Sequence, residues 1–305
     1  GKDLTNADLS GVDLSGKDLT GTILTGANLS NADLSGVDLS GKDLTGTIIE
    51  GINISGIDLT GNDLSDMNLT GINLDDIDLA GKDLSYSILI GVDLSGKDLT
   101  GTILTGTNLS NADLSGVNLS GKDLIGTILT GANLSNADLS GVDLSGKDLS
   151  NVDLTETDLT DTDLSQATLY DANLSGLNLT GTKLVGVNLE QANLSNANLS
   201  GIDISSSSFK AADLSHANLS YSDLSKSELT GASLINTDIR FTDFTNSMLG
   251  EIDFTKIKNK NWDGAIIKNA SLSYATLEGM DFSGKDLTLT VFNHAKLNGA
   301  NFSND

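Results

Sequence analysis

Carboxylates are the side chains best placed to do chemistry in this sequence. Asp and Glu number 42 against 17 Lys and Arg, for a formal charge of -25 and a pI near 4.1. Most stand immediately before a Leu, as in Asp8-Leu9, Asp13-Leu14 and Asp18-Leu19. Carboxylates in such regular supply could collect Ca²⁺ or present an extended negative field. A specific calcium site would need a D-x-D-x-D-G loop or a GGxGxD nonapeptide, and the sequence has neither. Nucleophilic catalysis fares no better. His216 and His294 are the only histidines, and no recognisable motif sets a His or Lys base beside a Ser. Without Cys there are no disulfides or thiolate metal sites, so no cofactor is implied and the compartment stays open. What remains is the negative field. It opposes direct binding of nucleic acid or anionic membrane, and suits solubility or a basic protein partner.

The elements that position these carboxylates follow from one period. Leu4, Leu9, Leu14, Leu19, Leu24 and Leu29 open a five-residue beat that holds to Phe254, with Ile49, Ile54, Ile204, Phe209, Ile239, Phe244 and Phe254 as stand-ins. Two residues before each centre comes a small or aliphatic residue, as at Ala7, Val12, Ala27 and Val37. Two inward residues spaced by two is strand geometry. A helix is excluded, because a five-residue beat drifts round a 3.6-residue turn. After the centre come Ser or Thr and then often Gly, which suits a corner. The chain therefore reads as a repeat solenoid that acts through its outer surface. It contains no Pro, as expected where backbone N–H groups are needed for a ladder. No apolar run reaches the ~20 residues of a membrane span. The repeat is already running at Gly1, so the chain reads as trimmed at its N-terminus.

From Lys2-Asp3-Leu4 to Ala300-Asn301-Phe302, these pentads resemble the pentapeptide-repeat family, whose signature is A(D/N)LXX. The resemblance implies an all-β fold: a right-handed quadrilateral parallel β-helix with four pentads per coil, here about fifteen coils. It also implies that residues twenty apart stack in columns. On that reading Asp18, Asp38, Asp58, Asp78 and Asp98 form one acidic column, continued by Asn118 and Asp138. Neighbouring charges about 4.8 Å apart repel by roughly 0.9 kcal/mol in water. A DNA strand carries a charge every ~3.4 Å, a comparable spacing. Acidic members of the family include DNA-mimicking proteins that bind type II topoisomerases such as DNA gyrase. The plainer reading of the column is a solvated, solubilising face.

Several features depart from the bare repeat. The block GKDLT-GTILT-GANLS-NADLS-GVDLS begins at Gly16 and recurs almost intact at Gly96 and Gly121. Five pentads against a coil of four rotate each copy by one face, which points to tandem duplication and not to a face-specific code. Lys2, Lys17, Lys42, Lys82, Lys97, Lys122 and Lys147 occupy the inward position. Each either snorkels out past its buried stem or joins an internal network of Thr, Asn and backbone carbonyls. The beat breaks after Phe254 and resumes at Trp262 with three extra residues, which predicts a loop or bulge over 255–261. That gives a repeat over 1–254 and its continuation over 262–305. The break holds the one basic cluster, Lys256, Lys258 and Lys260. Aromatic residues crowd beyond residue 200. Trp262, Phe282, Phe292 and Phe302 fall at centre positions, where they would cap the C-terminal end or build an end-to-end homodimer. The leading functional expectation is a non-catalytic acidic rod serving as a structural and protein-interaction module. The second is a gyrase-binding DNA mimic.

Overall fold

A pentad closes its corner with one hydrogen bond. The Ala112 N–H donates to Leu109 O at 3.0 Å, and between them Asn111 sits at φ +56°. A positive φ at the third residue is what a type II turn requires, so Gly or Asn recurs there. Only three residues then run extended before the next corner, leaving room for one bridge per pentad. Leu114 N donates to Asn133 O at 2.8 Å, and Asn133 N to Ala112 O at 3.0 Å. The result is a series of isolated parallel bridges such as Asp113↔Asn133. Each bridge in this part of the chain joins residues twenty apart.

The computed structural model describes residues 1–303 apart from 45, 53–58, 60, 61, 76, 260 and 261. Asp58 and Lys260 therefore lie outside the described residues. The chain forms two compact units, Gly1–Asp138 and Leu139–Asp305. Each is a repeat solenoid whose core is the column of centre residues. In the first unit, Ala112, Leu114 and Leu134 are fully buried. In the second, Leu194, Ile204, Phe209 and Leu214 are.

The inward position tolerates polar residues because one acceptor is within reach. Thr102 Oγ1 donates to Leu79 O at 2.8 Å, and Thr107 Oγ1 to Leu84 O at 2.8 Å. In the second unit, Thr162 and Thr237 donate to Leu139 O and Leu214 O in the same way. The inward lysines use this acceptor too. Lys42 Nζ reaches Leu19 O and Lys82 Nζ reaches Leu59 O, both at 2.7 Å. Lys122 Nζ reaches Thr102 O at 3.1 Å, and Lys97 Nζ reaches Asp75 O. These four lysines are half-buried, whereas Lys2 and Lys17 are exposed. Of the two readings of the inward lysines, the network with backbone carbonyls describes Lys42, Lys82, Lys97 and Lys122. Burial lowers the pKa of Lys122 and of Lys285, which donates to Trp262 O at 2.5 Å.

In the second unit the bridge register lengthens to twenty-three at Asp243↔Ile266, Met248↔Ser271 and Asp253↔Thr276, then returns to twenty at Ser271↔Val291. A one-turn 3₁₀ helix, η1 (Phe254–Lys256), opens this segment, with Asp253 accepting from Thr255 N. Ile257 and Trp262 are both buried. Beyond, the core is filled by rings. Trp262 lies 4.7 Å from Phe254 and 5.7 Å from Phe282, and Phe282 stacks on Phe302 at 5.1 Å. Trp262 and Phe282 are core residues, Phe292 is half-buried and Phe302 is exposed.

Candidate functional site

The acidic position is built by the corner that follows it. Asp18 Oδ1 accepts from Thr20 N at 2.8 Å, and Asp38 Oδ1 from Ser40 N at 2.9 Å. Asp78 Oδ1 accepts from Ala80 N at 3.0 Å, and Asp98 Oδ1 from Thr100 N at 2.8 Å. This is an Asx turn, in which the side chain holds the backbone N–H two residues on. Asp and Asn both supply that acceptor, which is why they interchange. Sequence reasoning missed this role, although the D/N-x-S/T pattern is the signal for it.

Asp and Asn differ in what else they can do. An Asn also has an amide to donate. Asn193 Nδ2 donates to Asn173 Oδ1 at 3.2 Å, and Asn198 Nδ2 to Asn178 Oδ1 at 3.0 Å. Neighbouring rungs are thereby tied together through their side chains. Consecutive ionised Asp residues have no proton to share and cannot form such a ladder. Asp18, Asp38, Asp78 and Asp98 are all exposed. The Thr20 hydroxyl and N–H lower the pKa of Asp18, and the Thr100 hydroxyl and N–H lower that of Asp98. Asp18 and Asp98 therefore present charge.

Among the described residues, no bridge joins Asp18 to Asp38 or Asp78 to Asp98. No ladder imposes a regular 4.8 Å spacing within those two pairs, which weakens the match to a phosphate backbone. Beside Asp38 the surface opens into a cleft of about 640 Å³ lined by Thr20, Thr22, Lys42 and Asp43. Lys42 there fills the place of the repeat's usual small residue.

Two lysines of the basic cluster, Lys256 and Lys258, pair with carboxylates of the protein. Lys256 Nζ lies 3.3 Å from Asp253, and Lys258 Nζ lies 3.6 Å from Asp238. Asp238 is buried and also holds Arg240 through Nε and Nη2, with Nη2 at 2.7 Å, and accepts from Asn259 Nδ2 at 3.2 Å. The Arg240 guanidinium keeps the Asp238 pKa below the usual carboxylate value despite burial. Lys256 and Lys258 thus tie the chain after Phe254 to Asp253 and Asp238. His216 and His294 both occupy left-handed corners, and His294 stacks on Tyr274 at 4.9 Å. Among the described residues, no group of three or more His, Cys, Asp or Glu could hold a metal ion. Among them, too, no helix is long and apolar enough to cross a membrane.

The family description "Pentapeptide repeats" matches residues 3–41, 43–76, 68–106, 77–116, 107–146, 148–184, 172–210, 212–249 and 253–304. The chain belongs to the pentapeptide-repeat family. Solved structures similar to it are repeat proteins too. Full-length QnrB1, a plasmid-mediated fluoroquinolone resistance protein, is 19% identical over 65% of this chain and 90% of its own, with a TM-score of 0.41. HetL, a pentapeptide repeat protein involved in heterocyst differentiation regulation in the cyanobacterium Nostoc sp. strain PCC 7120, is 24% identical over 98% of this chain and 88% of its own, with a TM-score of 0.18. Comparison with curated proteins finds no match.

The corner role of the pentapeptide-repeat Asp has a consequence for acid stability. Side-chain and backbone hydrogen bonds from Thr288 bring Asp286 from 3.8 to about 2, and Asp18, Asp98 and Asp238 are lowered as well. A folded-state pKa below the unfolded one means that the unfolded chain takes up protons first. Stability is then complete above the unfolded value of 3.8 and is lost as pH falls through the folded values. Melting temperature should fall between about pH 4 and pH 2. Melts that stay level or rise over that interval would show that relief of charge repulsion outweighs the loss of the caps.

Proposed function

We propose that this protein is a non-catalytic, acidic structural and interaction module that engages a basic protein surface through the column of Asp18, Asp38, Asp58, Asp78 and Asp98, without binding nucleic acid itself. The observation that carries this reading is that the described members of the column are exposed and turned outward by their own corners. Dense outward carboxylates steer a cationic partner and speed its association. The underlying architecture is a right-handed quadrilateral β-helix of four pentads per coil, about fifteen coils in all, with repeats over 1–254 and 262–305 and a loop at 255–261. The twenty-residue bridge register supports four pentads per coil. An end-to-end homodimer would use the exposed rim near Phe302, with Phe292 beside it, since Trp262 and Phe282 are committed to the core.

The second reading is a DNA mimic that binds DNA gyrase. Recurrence of Asp at twenty-residue intervals favours it, and the lack of a bridge, among the described residues, between Asp18 and Asp38 and between Asp78 and Asp98 counts against it. One experiment separates the two readings. Gyrase supercoiling is followed with increasing protein at low and moderate salt, using wild type and the combined Asp18→Asn, Asp38→Asn and Asp78→Asn variant. The module reading expects no effect on gyrase, together with salt-sensitive binding of a basic model protein that the variant weakens at least about tenfold, or 1.4 kcal/mol. Dose-dependent inhibition lost in the variant would establish the mimic instead. Equal binding of the basic protein by variant and wild type would remove the column from either role.

A further inference from the structure

One outward column of the first unit begins with the charged Asp8, bridged to Asn28, and carries no charge from Asn68 to Ile128. Asn68, Ile88, Asn108 and Ile128 follow at twenty-residue intervals, linked by the parallel bridges Asn68↔Ile88, Ile88↔Asn108 and Asn108↔Ile128, and Ile48 is bridged to Asn28 earlier in the same series. Ile48 is 47% exposed, Ile88 36% and Ile128 44%. The column lies ten residues, half the bridge register, from the acidic column. The five-pentad block alone would rotate its Ile residues from face to face, yet Ile88 and Ile128 return to the same one.

Apolar surface continues round the adjacent corner. Tyr86 is 63% exposed and Ile125 71%. The Tyr86 ring occupies the space that a Cβ on Gly106 would need, so this glycine lets the ring lie flat against the corner beside Ile88. A contiguous apolar patch on a strongly charged protein marks an interaction site.

From this geometry we infer that the Ile/Asn column is a docking face for a second copy of this chain, packed antiparallel about a two-fold axis. Two observations select that occupant. On a chain of net charge -25, this column lets like-charged copies meet without opposing carboxylates at their centre. The column is also self-complementary. Ile side chains recur at every second rung, about 9.6 Å apart, with a shorter Asn between them. A two-fold axis midway between an Ile rung and an Asn rung sets each Ile of one copy opposite an Asn of the other, so knobs enter gaps over the whole contact. From Asn68 to Ile128 the bridged stripe spans about 14 Å. That is short of the roughly 800 Å² per partner of a standard stable interface, so the dimer is weak and forms at high concentration.

The test is sedimentation equilibrium of the full chain from about 1 μM to about 1 mM at low and high salt. The variant Ile88→Asp with Ile128→Asp puts the repeat's own common residue at both positions. It supplies the corner acceptor that Ile lacks and leaves the fold intact. The control, Asn118→Asp, adds charge on the acidic column. The expected result is a concentration-dependent dimer that strengthens as salt screens the net repulsion. Its Kd should rise at least about tenfold in the double variant and change less than about threefold in the control. A chain that stays monomeric throughout would overturn the inference. So would a dimer indifferent to the two Ile substitutions, which would place the contact elsewhere. A monomer that binds a cationic Leu/Lys amphipathic peptide through Ile88 would overturn it as well, assigning the face to another partner.

Discussion

Trp262→Ala is expected to lower stability by about 3–5 kcal/mol, the range for removing a large buried aromatic. Trp262 is fully buried. It contacts Phe254 at 4.7 Å, Phe282 at 5.7 Å and Phe244 edge-on at 6.4 Å. Truncation leaves a void among three rings that cannot collapse, because each ring is fixed by its own centre position in the repeat. The backbone around Trp262 is also committed, since its carbonyl accepts from Lys285 Nζ. Trp262→Phe provides the contrast. The indole Nε1 is buried and has no partner among the described residues, so Phe removes a desolvated donor while keeping most of the volume. Urea unfolding should place the Phe variant within about 1.5 kcal/mol of wild type. An Ala variant as stable as the Phe variant would mean that the ring column contributes no specific packing.

Leu114→Ala is expected to cost about 2–5 kcal/mol. Leu114 is fully buried, and its N–H is held by Asn133 O at 2.8 Å. The backbone cannot shift to fill the space without breaking a bridge. Ser115, one residue on, should behave oppositely. Its corner hydrogen bond runs from its backbone N–H to Asp113 Oδ1 at 2.9 Å. Ala at 115 keeps that donor, so the change should stay within about 0.5 kcal/mol. Chemical denaturation of the two variants side by side decides the matter. Equal losses at 114 and 115 would show that the centre and the corner are not distinguished energetically.

Much of this was legible in the sequence. Leu114 and Ala112 were readable as inward because a period of five with two inward residues admits one arrangement of in and out. Gly or Asn at positions such as Asn111 was readable as a corner because few residues accept a left-handed backbone. The break between Phe254 and Trp262 was visible because the period slips by three. The acidic column was visible as a pattern, but its use of each Asp as a corner cap was not, since a carboxylate's partner depends on where a backbone N–H points.

By itself, the sequence determined the solenoid, the buried centres and the sign of the surface, because each depends on a short period and local chain stereochemistry. The tertiary structure decided what no local rule could. Lys42 and Lys82 are held by carbonyls twenty-three residues earlier. Lys258, Arg240 and Asn259 converge on the buried Asp238. Ile88 and Ile128 share one face. In each case the partners are distant in sequence and meet only once the chain has returned on itself. Their geometry follows from the register between rungs, a property of the wound chain and not of any pentad within it.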